Sequence, residues 1–282
     1  MTRLPLARPA PAVLGCLTVI PALTAAVIVG APLPAQGAVS TNWADQGIST
    51  GIKGVDVSLW QHGYPTPMNF ATLKANGVRF AFIKSSDGHP KADAQAAKWW
   101  AIDRPAAHAA GLVVGTYHFA QLTSDPSLLM ADARAEARLA AARTKKYKRG
   151  YLATALDIEG VPRNLTRAQV TSWALRWLRT YQRITGRTPH IYASRWLAES
   201  WLIPSQLGQY PLWLAAYGKG YPRPRPVRGW PASAPRFWQF TGSGQVPGSG
   251  SPRIDLNVFL GSPAQLRAIA RLPKRKAPRF GL

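Results

Sequence analysis

The chain has 282 residues, is 46% hydrophobic and carries a formal net charge of +23. That length allows one large domain or two ordinary ones, and that apolar content can build a sizeable core. A single cysteine, Cys16, excludes an intrachain disulfide and a thiolate metal site. The charge is silent on fold but favours polyanionic partners: nucleic acid, anionic lipid or the anionic polymers of a bacterial wall. The competing reading of that charge is a solvated, arginine-rich surface.

In chain order, Arg3 and Arg8 precede an uncharged apolar stretch that ends in Ala35-Gln36-Gly37-Ala38. A basic start, an apolar middle and a small-residue end read as a secretory signal over residues 1–37. The competing reading is an uncleaved membrane anchor, since the apolar run is long enough to span a bilayer. Pro21, Pro32 and Pro34 argue against it. The Val13-Leu14-Gly15-Cys16 run resembles a lipoprotein acylation box, but the apolar run continues past it. Without the signal, the mature chain has no cysteine and hence no cysteine nucleophile.

Residues 38–51 read as a polar lead-in. Short runs rich in β-branched and aromatic residues then predict strands at 54–60, 78–84, 112–119, 152–158 and 190–194. Helices are predicted between them at 67–76, 91–110, 126–147 and 166–185. The last is the clearest. Thr166 and Gln169 form a capping box, Val170, Trp173, Trp177 and Tyr181 recur at helical spacing, and Gly186 is a stop. Its two tryptophans read as core. After residue 205 the connections are rich in Gly and Pro, and strands are predicted at 210–217, 236–241 and 254–260. "GSGQVPGSG" reads as a flexible turn.

Five βα units followed by three strands make an α/β protein with a parallel sheet. Eight strands suit a closed, TIM-like barrel, here flattened and poor in helix in its second half. The barrel domain is expected over residues 52–262. A basic tail, 263–282, begins with a short helix.

Acids are scarce: 12 against 35 Lys and Arg. Yet Asp157 and Glu159 stand one residue apart at the end of the fourth strand, so they share a face. Asp56 in the first strand and Asp255 in the last occupy matching places. If the barrel closes, those strands are neighbours and the four acids meet at its C-terminal end, where such barrels build active sites. Clustered carboxylates repel, which raises the pKa of at least one, as a general acid near neutral pH requires. For each acid alone, an ion pair with arginine is the plainer reading.

Trp60, Tyr117, Tyr192, Trp213, Tyr217 and Trp238 flank the same strand ends, and up to four of them are expected to face a sugar. His118 and His190 read as packed, hydrogen-bonded side chains. No His or Cys cluster has metal-ligand spacing, so neither metal nor cofactor is expected.

The ordered series "GVDVSLWQ", "FAFIKSSDG", "VGTYHF", "ALDIEG", "HIYAS", "LWLAAY", "WQFT" and "IDLNVF" resembles the family 25 glycoside hydrolases, lysozymes of the N,O-diacetylmuramidase type. The resemblance spans roughly residues 52–261. It implies cleavage of the β-1,4 bond between N-acetylmuramic acid and N-acetylglucosamine in peptidoglycan. It implies Glu159 as proton donor, with Asp157, Asp56 and Asp255 lining the site. Tyr117, Tyr192, Trp213 and Gln239 match cleft positions, and the Lys84 position also matches. From the residues alone, a general base, a carboxylate nucleophile and participation by the substrate's N-acetyl group all stay open. The resemblance favours the last, with retention and Asp157 as the orienting group.

The expected partners are peptidoglycan and, through the basic surface, anionic wall polymers. No specific nucleic acid is expected, and the protein is expected to be monomeric. The alternative function is a non-catalytic wall-glycan-binding module of the same fold. Four gathered acids in so basic a chain argue against it.

Overall fold

The computed structural model describes residues 42–218, 223–231 and 235–271. The expected signal or anchor segment and the last part of the basic tail lie outside the described residues. Among the described residues no helix is long and apolar enough to cross a membrane.

Eight strands close a barrel in chain order: β1 (Ile52–Val57), β2 (Phe80–Asp87), β3 (Val113–Phe119), β4 (Tyr151–Ile158), β5 (His190–Ser194), β6 (Leu212–Ala215), β7 (Pro235–Gly244) and β8 (Ile254–Phe259). Helices α1 (Phe70–Ala75), α2 (Pro90–Ala109), α3 (Leu129–Thr144) and α4 (Arg167–Thr185) follow the first four strands. Only the short α5 (Arg195–Ser200) and α6 (Pro204–Leu207) follow β5, and α7 (Pro263–Ile269) closes the described chain. The expected run of five βα units and three strands is therefore present.

The expectation of a parallel sheet holds for β1 to β7 and fails at β8. That strand pairs antiparallel with both β7 and β1. The link 245–253 is too short for a crossover, which needs about a dozen residues. It therefore returns as a hairpin. The "GSGQVPGSG" turn is also held: the Asn69 amide donates to the Gly248 carbonyl at 2.9 Å.

Aromatic rings fill the barrel below its C-terminal mouth. Phe82 stacks on Trp213 at 4.2 Å, and Phe237 packs edge-on to Phe80 and Phe82 at 5.2 and 5.0 Å. Two glycines on the neighbouring strands make room for them. A Cβ on Gly54 would lie 2.2 Å from the Phe80 ring, and one on Gly115 2.3 Å from the Phe82 ring. Each aromatic pair adds about 0.5–1.5 kcal/mol beyond its area burial. The result is a floor of aromatic rings beneath the polar mouth.

Outside the barrel, α4 behaves as its sequence predicts. The Thr166–Gln169 capping box forms, and Gly186 adopts the left-handed conformation at φ 67°. Trp173 and Trp177 are fully buried, and the Trp173 indole N–H donates to Asp132 at 2.8 Å, tying α4 to α3. The facing surface of α3 is alanine (Ala133, Ala137, Ala140, Ala141), which lets the two helices approach closely.

Residues 42–51 do more than lead in. Trp43 is buried against Phe240, and its indole N–H donates to the Asn257 carbonyl at 2.9 Å. At the other end of the chain, Leu266 of α7 and Ala270 at its C-cap are buried against the barrel's aromatic interior. The packed domain thus runs past residue 262.

Candidate active site

Register places the predicted acids together. Asp56 on β1 pairs with Asp255 on β8, and Gln239 on β7 pairs with Asn257 on β8. Asp157 on β4 pairs with Tyr192 on β5, which pairs with Trp213 on β6. All stand in the upper half of the barrel.

A directed hydrogen-bond network joins them. Asp56 Oδ2 accepts from Gln239 Nε2 at 2.9 Å and from Asn257 Nδ2 at 2.6 Å. Gln239 Oε1 in turn accepts from the hydroxyls of Tyr192 at 2.8 Å and Tyr217 at 2.7 Å. Asn257 Oδ1 accepts from the Trp213 indole N–H at 2.7 Å. Both amides are therefore oriented with their N–H groups toward the carboxylate. The network concentrates donors on Asp56, where negative charge is held.

Burial opposes that charge. It lifts the Asp56 carboxyl to about 6, against the pull of the Asn257 and Gln239 hydrogen bonds. Asp255, half-buried and facing the Asp56 charge, is lifted to about 9. At neutral pH the Asp56–Asp255 pair accordingly shares a proton. Asp157 is raised well above the usual range by burial and then by the charge of Glu159. Its Oδ1 has no hydrogen-bond partner, a costly state for a buried oxygen. Glu159 lies just past the end of β4 with its side chain reaching solvent, yet enough protein surrounds it to raise its pKa, against the pull of Lys84.

Lys84 sits beside a β-bulge in β2, pairs with Asp87 at 2.6 Å and caps the Phe119 ring at 4.4 Å. Its charge reaches both Asp157 and Glu159. It is the ammonium counterweight to the acid cluster.

The aromatics divide into three groups. Trp60, 73% exposed on the turn after β1, and Tyr217 on the link after β6 stand on the rim. Tyr192 and Tyr117 are buried lining, with Tyr117 edge-on to Trp213 at 6.0 Å. Trp213, only 1% exposed, lies beneath the network, so it orients Asn257 instead of offering a face to a ligand. Trp238 points out of the barrel, packs on Phe240 and donates to the Ala216 carbonyl at 2.8 Å. It is among the strand-end aromatics that do not face a ligand, because it alternates with the inward Gln239.

Two residues went unpredicted. Asn257 holds Asp56, and the signal for it was the Asp-x-Asn spacing in "IDLN". Trp196, exposed in the first turn of α5, adds an aromatic to the rim beyond β5. His118 and His190 are buried and hydrogen-bonded, to Ser86 and Glu136 and to the Ala153 carbonyl respectively. Among the described residues no group of three or more His, Cys, Asp or Glu is arranged to hold a metal.

A closed α/β barrel with carboxylates clustered at its C-terminal mouth and an aromatic rim has the architecture of a glycoside hydrolase. Residues 55–249 match glycosyl hydrolases family 25, and the chain belongs to that family. It is 30% identical over 229 residues to Lysozyme M1 of Streptomyces globisporus, spanning 79% of this chain and 72% of that one. It is 32% identical over 219 residues to YegX, an uncharacterized protein of Escherichia coli strain K12, spanning 77% and 72%. The bacterial lysozyme from Streptomyces coelicolor shares the fold with a TM-score of 0.66 and 29% identity, over 79% of this chain and 98% of that one. The protein is a glycoside hydrolase of the lysozyme type, and the family implies peptidoglycan as its substrate.

Proposed function

We propose that the protein is a secreted muramidase that hydrolyses the β-1,4 bond between N-acetylmuramic acid and N-acetylglucosamine, with Glu159 as proton donor. The observation that carries this reading is the contrast between Glu159 and Asp157. Glu159 reaches solvent at the mouth with a raised pKa, which suits a group that must deliver a proton to a glycosidic oxygen. Asp157 is buried beside it with one carboxyl oxygen unpartnered. That oxygen suits the N–H of a substrate acetamido group. Held there, the acetamido oxygen attacks the anomeric carbon as Glu159 protonates the departing glycosidic oxygen, forming a cyclic oxazolinium. Water, deprotonated by Glu159, then opens it at the anomeric carbon, and the two displacements together give retention. The Asp56 anion, fed by two amide donors, supports the positive charge that develops on the sugar. Trp60 and Tyr217 suit stacking against neighbouring sugars.

Secretion rests on the basic–apolar–small pattern of residues 1–37, and an N-terminal anchor is the alternative. The protein acts as a monomer at the wall. The test of the assignment is Glu159→Gln. The variant folds as wild type and releases no new reducing ends from purified peptidoglycan. Near-normal release would reject Glu159 as the acid. Tight glycan binding without turnover by the wild type would favour the binding-module reading instead.

A further inference from the structure

The acids gather at one end of the barrel. The other end, where β1 to β7 begin and β8 finishes, has a different chemistry. Its entering segments 49–53, 76–79, 110–112, 145–150, 186–189 and 223–226 contain no Asp or Glu. They contribute exposed cations instead, among them Arg79, Lys145, Lys146, Lys148 and Arg149.

A cavity of about 530 Å³ opens at this end, between the residues leading into β1, the start of β7, the end of β8 and the 223–226 link. Among the described residues, Arg223, Arg225 and Arg236 line it, and no carboxylate does. The link is braced. Arg195 on α5 donates to the carbonyls of Arg225 at 2.7 Å and Pro226 at 2.9 Å. Glu199 holds Arg195 at 3.4 Å and accepts from the Arg228 amide at 3.1 Å. Pro224 and Pro226 restrict the backbone further. The arginines are thus presented from a stiffened strip.

We infer that this cavity is a docking site for a phosphodiester polymer of the bacterial wall, gripped by Arg223, Arg225 and Arg236. Planar guanidinium groups match phosphate oxygens in pairs. Among the described residues the lining has one aromatic, Phe259, and it is buried, so these residues offer no face on which a nucleic-acid base could stack. A base-free polyanion fits better. Along β1 the site stands five residues from Asp56, roughly 16 Å, so an occupied site leaves the cleft open. The choice of a wall polymer over other polyanions rests on the proposed muramidase function.

The experiment titrates purified poly(glycerol phosphate) onto the wild type and onto two triple variants of equal charge. One is Arg223→Gln/Arg225→Gln/Arg236→Gln. The other removes exposed helix charges, Arg138→Gln/Arg176→Gln/Arg183→Gln. Wild type binds, the cavity variant binds about tenfold or more weakly, and the helix variant stays within about threefold. The single variant Arg236→Gln, on an exposed strand start, gives an intermediate loss and serves if the triple variant does not fold. Saturating polymer leaves KM for soluble glycan oligomers unchanged.

Equal losses in both triple variants would mean a diffuse charge field and overturn the site. An unaffected cavity variant would do the same. Tighter binding of single-stranded poly(dT) or of phosphatidylglycerol vesicles, lost in the cavity variant, would replace the partner. Absence of wild-type activity on soluble glycan would reject the muramidase reading, a result independent of polymer binding.

Discussion

The two ends of this barrel carry opposite charge in opposite states. At the C-terminal mouth, Asp56, Asp157 and Asp255 are drawn into the protein and their pKa values rise. At the N-terminal end, Arg187 is buried against backbone carbonyls, but Arg79, Lys145, Lys146, Lys148 and Arg149 stand in solvent on the segments that enter the strands. The difference is between charge that is desolvated and charge that is not. Buried carboxylates that crowd one another destabilise the fold and are retained where chemistry needs them. Exposed cations cost little stability and act at longer range on polyanions. Removing charge should therefore have opposite consequences at the two ends.

The largest expected effect is at the mouth. Glu159→Gln lowers kcat by about a thousandfold with an unchanged melting temperature, which steady-state kinetics and calorimetry check together. A comparable loss from the arginine variant of the opposite end on soluble glycan would erase the contrast. Asp157→Asn comes next, with a fall in kcat of about a hundredfold, measured on the same substrate.

The third prediction concerns stability. In the native Asp56–Asp255 pair, burial and mutual repulsion lift the upper titration to about 9 against an ordinary 3.8. Between those values the native state holds a proton that the unfolded chain releases, so stability falls as pH rises through the window. Asp255→Asn removes that fall. Its melting temperature exceeds wild type by a few degrees, about 2–4 °C per kcal/mol, with a larger gap at pH 9 than at pH 5. A gap that shrinks with pH would contradict the buried-proton account of the pair. The smallest effect is expected at the rim. Trp60→Ala raises KM about fivefold and leaves kcat unchanged, as loss of a stacking face should.

Much of this was legible in the sequence, for reasons that can be named. The strands announced themselves by β-branched and aromatic runs, and α4 by its cap, period and glycine stop. Asp157 and Glu159 were legible because i and i+2 share a strand face. The reversal of β8 was not, since it depends on how short the preceding link is. Asn257 was harder to read, because a neutral amide two residues from Asp255 shows its role only when β8 pairs with β1 and its N–H meets Asp56. Trp213 and Trp238 could not be sorted from their positions near strand ends alone. A shift of one residue turns a side chain from the interior to the outer wall, and only register decides. Gln239 faces in, so Trp238 faces out. The cationic end was invisible for another reason. Its segments are far apart in the chain and meet only when the barrel closes.

The most direct measurement is mass spectrometry of the fragments released from purified peptidoglycan by the wild type and by Glu159→Gln. The account predicts wild-type fragments with N-acetylmuramic acid at the reducing end, and none from the variant. N-acetylglucosamine at the reducing end, or fragments from the variant at a near wild-type rate, would contradict it.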